Sequence, residues 1–204
     1  MEDLSKSYEV KMPITKAPSL LMKKFLKNEI GNSKRVLDIG CGDGVMALYL
    51  ISSLNCRVDG VDLDKGKIRR ANEKFRKRTV KGLALCRFCD SKNIDEQFKN
   101  ETFDAVLIIH ALHHLSDLSS ILSKIKYILK VGGKIFIEEY RHNFGEKLDN
   151  CPRFSSDKIK SMLSTAGFRY IKDHKIHEKF IMITAVKGEI NKKQFKEMKK
   201  EMEE

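Results

Sequence analysis

Val36-Leu37-Asp38-Ile39-Gly40-Cys41-Gly42-Asp43-Gly44 decides the fold of this chain. A short apolar run enters a turn with glycine at three alternate positions, and a helical pattern follows from about residue 44. Gly40 permits the tight turn, and Gly42 lets backbone approach a ligand closely, because glycine has no side chain and tolerates positive φ. The helix behind the turn offers unpaired N–H groups. A dinucleotide fingerprint, G-x-G-x-x-G, would place its third glycine where this chain has Val45. Asp38, just before the turn, would repel a pyrophosphate but can hold an ammonium group. The loop therefore points away from NAD and toward a ligand with a cationic amino-acid end.

Outward from this loop, short apolar runs alternate with amphipathic stretches, the signature of βαβ units and a parallel sheet. Strands are predicted at 35–39, 57–62, 83–89, 103–109 and 134–139. The run at 103–109 is apolar enough to be buried on both faces. Helices are predicted at 18–30, 44–53 and 64–79, from a cap at Ser116 or Asp117 to Leu129, and from Ser155 and Ser156 to Gly167. The last two strands, 168–176 and 180–187, are close enough to pair as an antiparallel hairpin. The expected organisation is an N-terminal helix or lid (1–34, with Tyr8 and Met12 ahead of the helix), one domain (35–188) and a charged tail (189–204).

Composition bounds the function. With 204 residues, 41% hydrophobic and 33% charged, the chain can build a core and is not a disordered protein. It has no run of 18 apolar residues, and its first residues lack an apolar signal region, so a cytoplasmic protein without membrane contact is expected. Five scattered cysteines do not make a disulfide scaffold. Cys86-Arg87-Phe88-Cys89 is a CxxC with no second pair, and a strand would turn its two thiols to opposite faces, so no metal site is expected. The net charge of +12 favours anionic partners. Residues 64–81 carry nine Lys or Arg against two acidic residues, which reads either as a solvated helix face or as an RNA footprint.

Asp62 falls 18 residues after Gly44, at the end of the second strand, where a carboxylate can accept hydrogen bonds from both hydroxyls of a ribose. His110, His113 and His114 follow the fourth strand. At helical spacing His110 and His114 would share a face, but no HExxH pattern is present. Glu138, Glu139, Tyr140, Arg141 and His142 come at the end of strand five, and ligands of open α/β sheets bind beyond strand carboxyl ends.

Asp38 to Gly44, Asp62, Cys89-Asp90, Phe103-Asp104-Ala105-Val106 through His113-His114-Leu115, and Leu129-Lys130-Val131-Gly132-Gly133 resemble the class I S-adenosylmethionine-dependent methyltransferases. They stand in that family's order and spacing, over residues 16–187. The resemblance implies a Rossmann-like α/β fold: a seven-stranded, mostly parallel sheet with one reversed strand and helices on both faces. It implies S-adenosylmethionine as cofactor. Asp38, Gly40, Cys41, Gly42 and Gly44 would surround the methionine moiety. Asp62 would bind ribose and Leu63 would lie against the adenine. Asp90 would contact the adenine amino group, with Cys89 beside it. Ile109 and His110 would face the methyl group, and His114 would fix the loop after strand four. Val131 stands where many relatives have proline, a structural departure.

The implied reaction is methyl transfer by in-line displacement, promoted mainly by alignment. His110 is the candidate catalytic base if the acceptor must lose a proton. No Asn-Pro-Pro-Tyr or Asp-Pro-Pro-Tyr follows strand four, which argues against exocyclic-amine chemistry on adenine. The absence of a Pro-Cys nucleophile argues against C5-pyrimidine chemistry. A small-molecule acceptor is the first expectation. The alternative is a tRNA-modifying enzyme, because FDAVLIIHALHHL also resembles methyltransferases of modified wobble uridines. A third reading is a cofactor-binding subunit without activity.

Overall fold

A computed structural model describes residues 20–31, 33–78, 80, 82–141, 153–176 and 178–188. Seven strands form one sheet: β1 (Arg35–Ile39), β2 (Arg57–Asp62), β3 (Ala84–Phe88), β4 (Phe103–Ile109), β5 (Leu129–Tyr140), β6 (Phe168–His174) and β7 (Phe180–Lys187). Their order is β3-β2-β1-β4-β5-β7-β6. The first five strands run parallel, and β7 lies antiparallel to both β5 and β6. The expected sheet, with one reversed strand, is thus the observed one. Strand order reverses between β1 and β4, which leaves a crevice at their carboxyl ends.

Each face of the sheet carries its own core. Beneath α1 (Leu20–Ile30), α2 (Val45–Leu54) and α3 (Lys65–Lys77) lie Val36, Val58, Leu107 and Phe136. The short helix α4 (Ile94–Gln97), α5 (Leu118–Ile128) and α6 (Ser156–Thr165) cover Leu37, Val106, Ile108 and Ile135. Strand β4 sits in the middle, with Val106, Leu107 and Ile108 fully buried, as its continuous apolar run requires.

Met22, Leu26 and Ile30 recur at helical spacing on α1 and are buried in the first core. This helix therefore packs into the core of the sheet's first face. Tyr8, Met12, His142, Cys151 and the tail 189–204 lie outside the described residues. Helix α3 starts at Asp64, whose carboxylate accepts from Lys67 N (2.9 Å). Helix α5 is capped by Asp117, not Ser116, and α6 by Ser155.

Two stretches depart from the sequence reading. Ser91–Gln97 forms a short helical turn capped by Asp90, too brief to show a periodicity. The double glycine does not separate helix from strand: α5 ends at Ile128 and β5 begins at Leu129. The register with β4 shifts between Phe103 and Ala105, and Gly132 takes φ +78°. Lys130 reaches back to Asp104 (2.7 Å), which ties this irregular segment to the base of β4.

Candidate cofactor and acceptor site

The glycine turn joins β1 to α2. Gly40 has φ +75°, and a Cβ there would lie 2.5 Å from Ala111 Cβ, just past β4. Gly44 has φ +77°, and its Cβ would meet the Phe75 ring of α3 at 2.6 Å. The close approaches that demand glycine are thus to neighbouring protein elements, which press the loop into place from both sides.

Asp38 is in register with Gly60 on one side and Leu107 on the other, at the floor of the crevice. It is 3% exposed. Burial, and next the charge of Asp62, push its carboxyl up to about 7. Its Oδ2 atom is buried and has no hydrogen-bond partner among the described residues. Such an atom is costly unless a ligand satisfies it, and an ammonium group does so with charge and hydrogen bond together. The residues present therefore fit the amino-acid end of S-adenosylmethionine.

Asp62, at the end of β2, accepts from Gly42 N and from Asp64 N, both at 2.8 Å. Its carboxylate thereby pins the glycine turn and starts the loop into α3, a structural role that the sequence reading missed. A carboxylate has about four acceptor positions, so lone pairs remain for two hydroxyl donors. Leu63, beside it, is 61% exposed, and Phe88, at the end of β3, is 52% exposed beneath Lys65 Nζ (4.9 Å). These exposed apolar surfaces flank Asp62.

The structure turns two predicted ligand residues inward. Cys41 Sγ lies 3.3 Å from Cys86 Sγ, packed against Gly60, so only its backbone lines the turn. That hydrogen bond, and then burial, push the Cys41 thiol far above its usual range. Cys89 is buried with its Sγ 3.1 Å from Asp90 O, and its N–H donates to Asp62 O (3.2 Å). Cys86 and Cys89 belong to the cores on opposite faces of the sheet, as strand alternation requires. The Asp90 carboxylate accepts from Lys92 N (2.9 Å).

The carboxyl ends of β4 and β5 form the other half of the site. Ile109, half-buried, is opposite Glu138 in register. His110 follows with φ +50°, a strained conformation for a residue with a side chain. Its N–H donates to Glu138 O (2.9 Å), and its Nε2 lies 2.9 Å from Glu138 Oε1. The imidazole packs against Tyr140 (4.7 Å) and Phe180 (4.9 Å). His113 is buried, with Nδ1 2.7 Å from Glu139 Oε2, and its N–H donates to the same oxygen (3.2 Å). Glu139 Oε1 accepts from Tyr140 N (2.9 Å).

His113 is therefore a histidine that fixes the loop after β4, and His114 stacks on it with ring centroids 4.0 Å apart. The segment Leu112–His114 is a 3-10 turn, so α-helical spacing does not apply, and His114 lies at the surface. Glu138 and Glu139 are not solvated loop charges. Both are buried in β5 and point to opposite faces, each holding one histidine.

A family profile described as a methyltransferase domain matches residues 37–137. The chain is 26% identical over 163 residues to the O-methyltransferase rstn1 of Aspergillus nomiae, covering 72% of each chain. It is 26% identical over 106 residues to the 27-O-demethylrifamycin SV methyltransferase of Amycolatopsis mediterranei, covering 52% of this chain and 38% of the relative. The chain spans between 38% and 56% of the length of several other curated relatives it matches. Among solved structures, phosphoethanolamine N-methyltransferase 2 of Haemonchus contortus superposes with a TM-score of 0.72 at 20% identity, covering 85% of this chain and 54% of that one. At that identity the likeness speaks for the fold. Profile, relatives and fold agree: the chain belongs to the class I S-adenosylmethionine-dependent methyltransferases.

Proposed function

From this membership, we propose that the protein transfers the methyl group of S-adenosylmethionine to a small-molecule acceptor. The observation that carries the reading is the buried, unpartnered Oδ2 of Asp38 beneath a glycine turn pinned by Asp62. Asp38 and the backbone of Gly40 to Gly44 would hold the amino-acid end. Asp62 would take the ribose hydroxyls, Leu63 and Phe88 the faces of the adenine, and Asp90 its amino group. When bound, the cofactor supplies a methyl group on a sulfonium, already a good leaving group.

The chain's own residues then act in three ways. Asp38 neutralises an ammonium and fixes the direction of the donor. Ile109 and His110 bound the place where an acceptor must lie. His110, Tyr140 and Phe180 pack as a rigid wall, because each ring touches the other two. Alignment of this kind reaches effective molarities of about 10⁵–10⁸ M in favourable systems. Two relatives whose names describe O-methyl transfer support a small-molecule acceptor.

One observation favours a second reading, tRNA modification. Arg69, Arg70, Arg76, Lys77 and Arg78 are exposed on and just beyond α3, with no ion-pair partner among the described residues. Transfer of labelled methyl from the cofactor into a cell extract, split into RNA, protein and small-molecule fractions, separates the two. Label in the small-molecule fraction is expected. Label confined to RNA would replace the first reading with the second.

A further inference from the structure

The residues of the glycine turn are held by different parts of the fold. A Cβ on Gly40 would meet Ala111 after β4, the Cys41 thiol lies 3.3 Å from Cys86 of β3, and the Gly42 N–H donates to Asp62 at the end of β2. Gly44 rests on Ala71 and Phe75 of α3. Asp43 is held by Lys74 of the same helix, whose Nζ donates to its Oδ2 (2.5 Å) and to its backbone O (3.2 Å). Ala71, Lys74 and Phe75 stand at i, i+3 and i+4, so one stripe of α3 faces the turn. Asn72 fastens that stripe to the sheet: its amide donates to Cys86 O (2.8 Å) and accepts from Cys86 N (3.0 Å). Of these holds, only the one at Asp43 is an ion pair, and solvent reaches it: the two side chains are 38% and 31% exposed. It is the hold that salt can weaken, and the one that can be cut without disturbing the core or the backbone.

We propose that Lys74 is a positioning residue for cofactor binding: by gripping Asp43 from α3 it keeps the glycine turn in its binding shape, and makes cofactor affinity depend on salt. The inference rests on the methyltransferase reading and adds to it a residue 30 positions beyond the turn, which acts through Asp43 and not on the cofactor itself. A turn that must order before it binds spends part of its binding free energy on that ordering. Lys74 supplies the order in advance, because its two bonds reach both the side chain and the backbone of the same residue.

Calorimetric titration of the full chain with S-adenosylhomocysteine is the first arm of the test. Lys74→Met should raise Kd by about three- to tenfold, from the loss of an exposed ion pair together with a bond to the turn's backbone. Lys158→Met, which removes an exposed cation from α6 on the opposite face of the sheet, should leave Kd unchanged. In the wild type Kd should climb between about 0.05 M and about 0.5 M salt, and Lys74→Met should lose part of that slope. Asp43→Asn should cost a similar factor, and the double variant little more than either alone. A pair that only stabilised the fold would lower the melting temperature and leave Kd alone, so an unchanged Kd, or losses that simply add, would overturn the proposal. Amide hydrogen exchange of the ligand-free chain is the second arm, and it needs no cofactor: Gly42 and Gly44, whose N–H groups donate to Asp62 and to Cys41 O, should exchange several-fold faster in Lys74→Met. Absence of S-adenosylhomocysteine binding by the wild type would sink the cofactor reading, whereas unchanged exchange would sink the grip of Lys74 on the turn.

Discussion

Asp38 is where pH acts on this molecule. Its carboxyl sits near 7 in the folded chain against an ordinary value of 3.8, because burial and Asp62 oppose its charge. Between these values the folded state binds more protons than the unfolded one. The contribution of Asp38 to stability therefore falls as pH rises from about 4 to about 7, and its loss is complete above that window. Asp38→Asn removes the loss and should stabilise the protein at pH 7.5 by about 2–4 kcal/mol, at roughly 1.4 kcal/mol per pH unit of displacement. Denaturant melts at pH 5 and 7.5 check this: the gain should appear at the higher pH and shrink at the lower. A cationic ligand needs the ionised carboxylate, so the affinity for S-adenosylhomocysteine should fall as pH drops below about 7, by up to about tenfold per pH unit. A pH-independent affinity would show that Asp38 does not hold the ammonium. Asp62→Ala should cost about 2–4 kcal/mol of cofactor affinity, from the loss of charged bonds to two hydroxyls and of the anchor on Gly42. An unchanged dissociation constant would place the ribose elsewhere.

At the scale of elements, β5 organises the end of β4. Its consecutive carboxylates face opposite sides of the sheet and hold His110 and His113, which lie three residues apart. His113→Ala would leave Glu139 buried at 0% exposure without its imidazole partner, and should destabilise the fold by about 3 kcal/mol. His114→Ala, exposed but stacked on His113 at 4.0 Å, should cost less, about 0.5–1 kcal/mol. Thermal denaturation of the two variants compares them, and equal losses would refute the assignment of the structural histidine. This pairing shows where the sequence could be read and where it could not. Period, glycine placement and caps are local signals, and they delivered the strands, the order of elements and the positions of Asp38 and Asp62. The partnership of His110 with Glu138 depends on the register of β4 against β5, which no local pattern encodes. The 3-10 turn at Leu112–His114 rotates the side chains away from α-helical spacing, so His113, to which the sequence reading gave no role, is the one held by Glu139. Cys41 looked like a loop residue, and only the packing of β2 against β3 shows its thiol turned to Cys86.

For the whole molecule, the charge of +12 and the exposed cations of α3 set an expectation for anionic partners. Bulk tRNA should bind weakly and lose affinity steeply between low and physiological salt, through release of counterions. Replacing Arg69, Arg70, Arg76 and Arg78 with Gln should flatten that slope. A strong complex that also supports methyl transfer would move the function to RNA. No helix among the described residues is long and apolar enough to cross a membrane. The crevice between β1 and β4 chooses the ligand, and every functional assignment depends on that choice. Calorimetric titration of the purified chain with S-adenosylhomocysteine and, separately, with NAD at pH 7.5 tests it. The prediction is saturable one-to-one binding of S-adenosylhomocysteine, lost in Asp38→Asn, and no heat with NAD. Binding of NAD at micromolar affinity, with none for the sulfur cofactor, would contradict it.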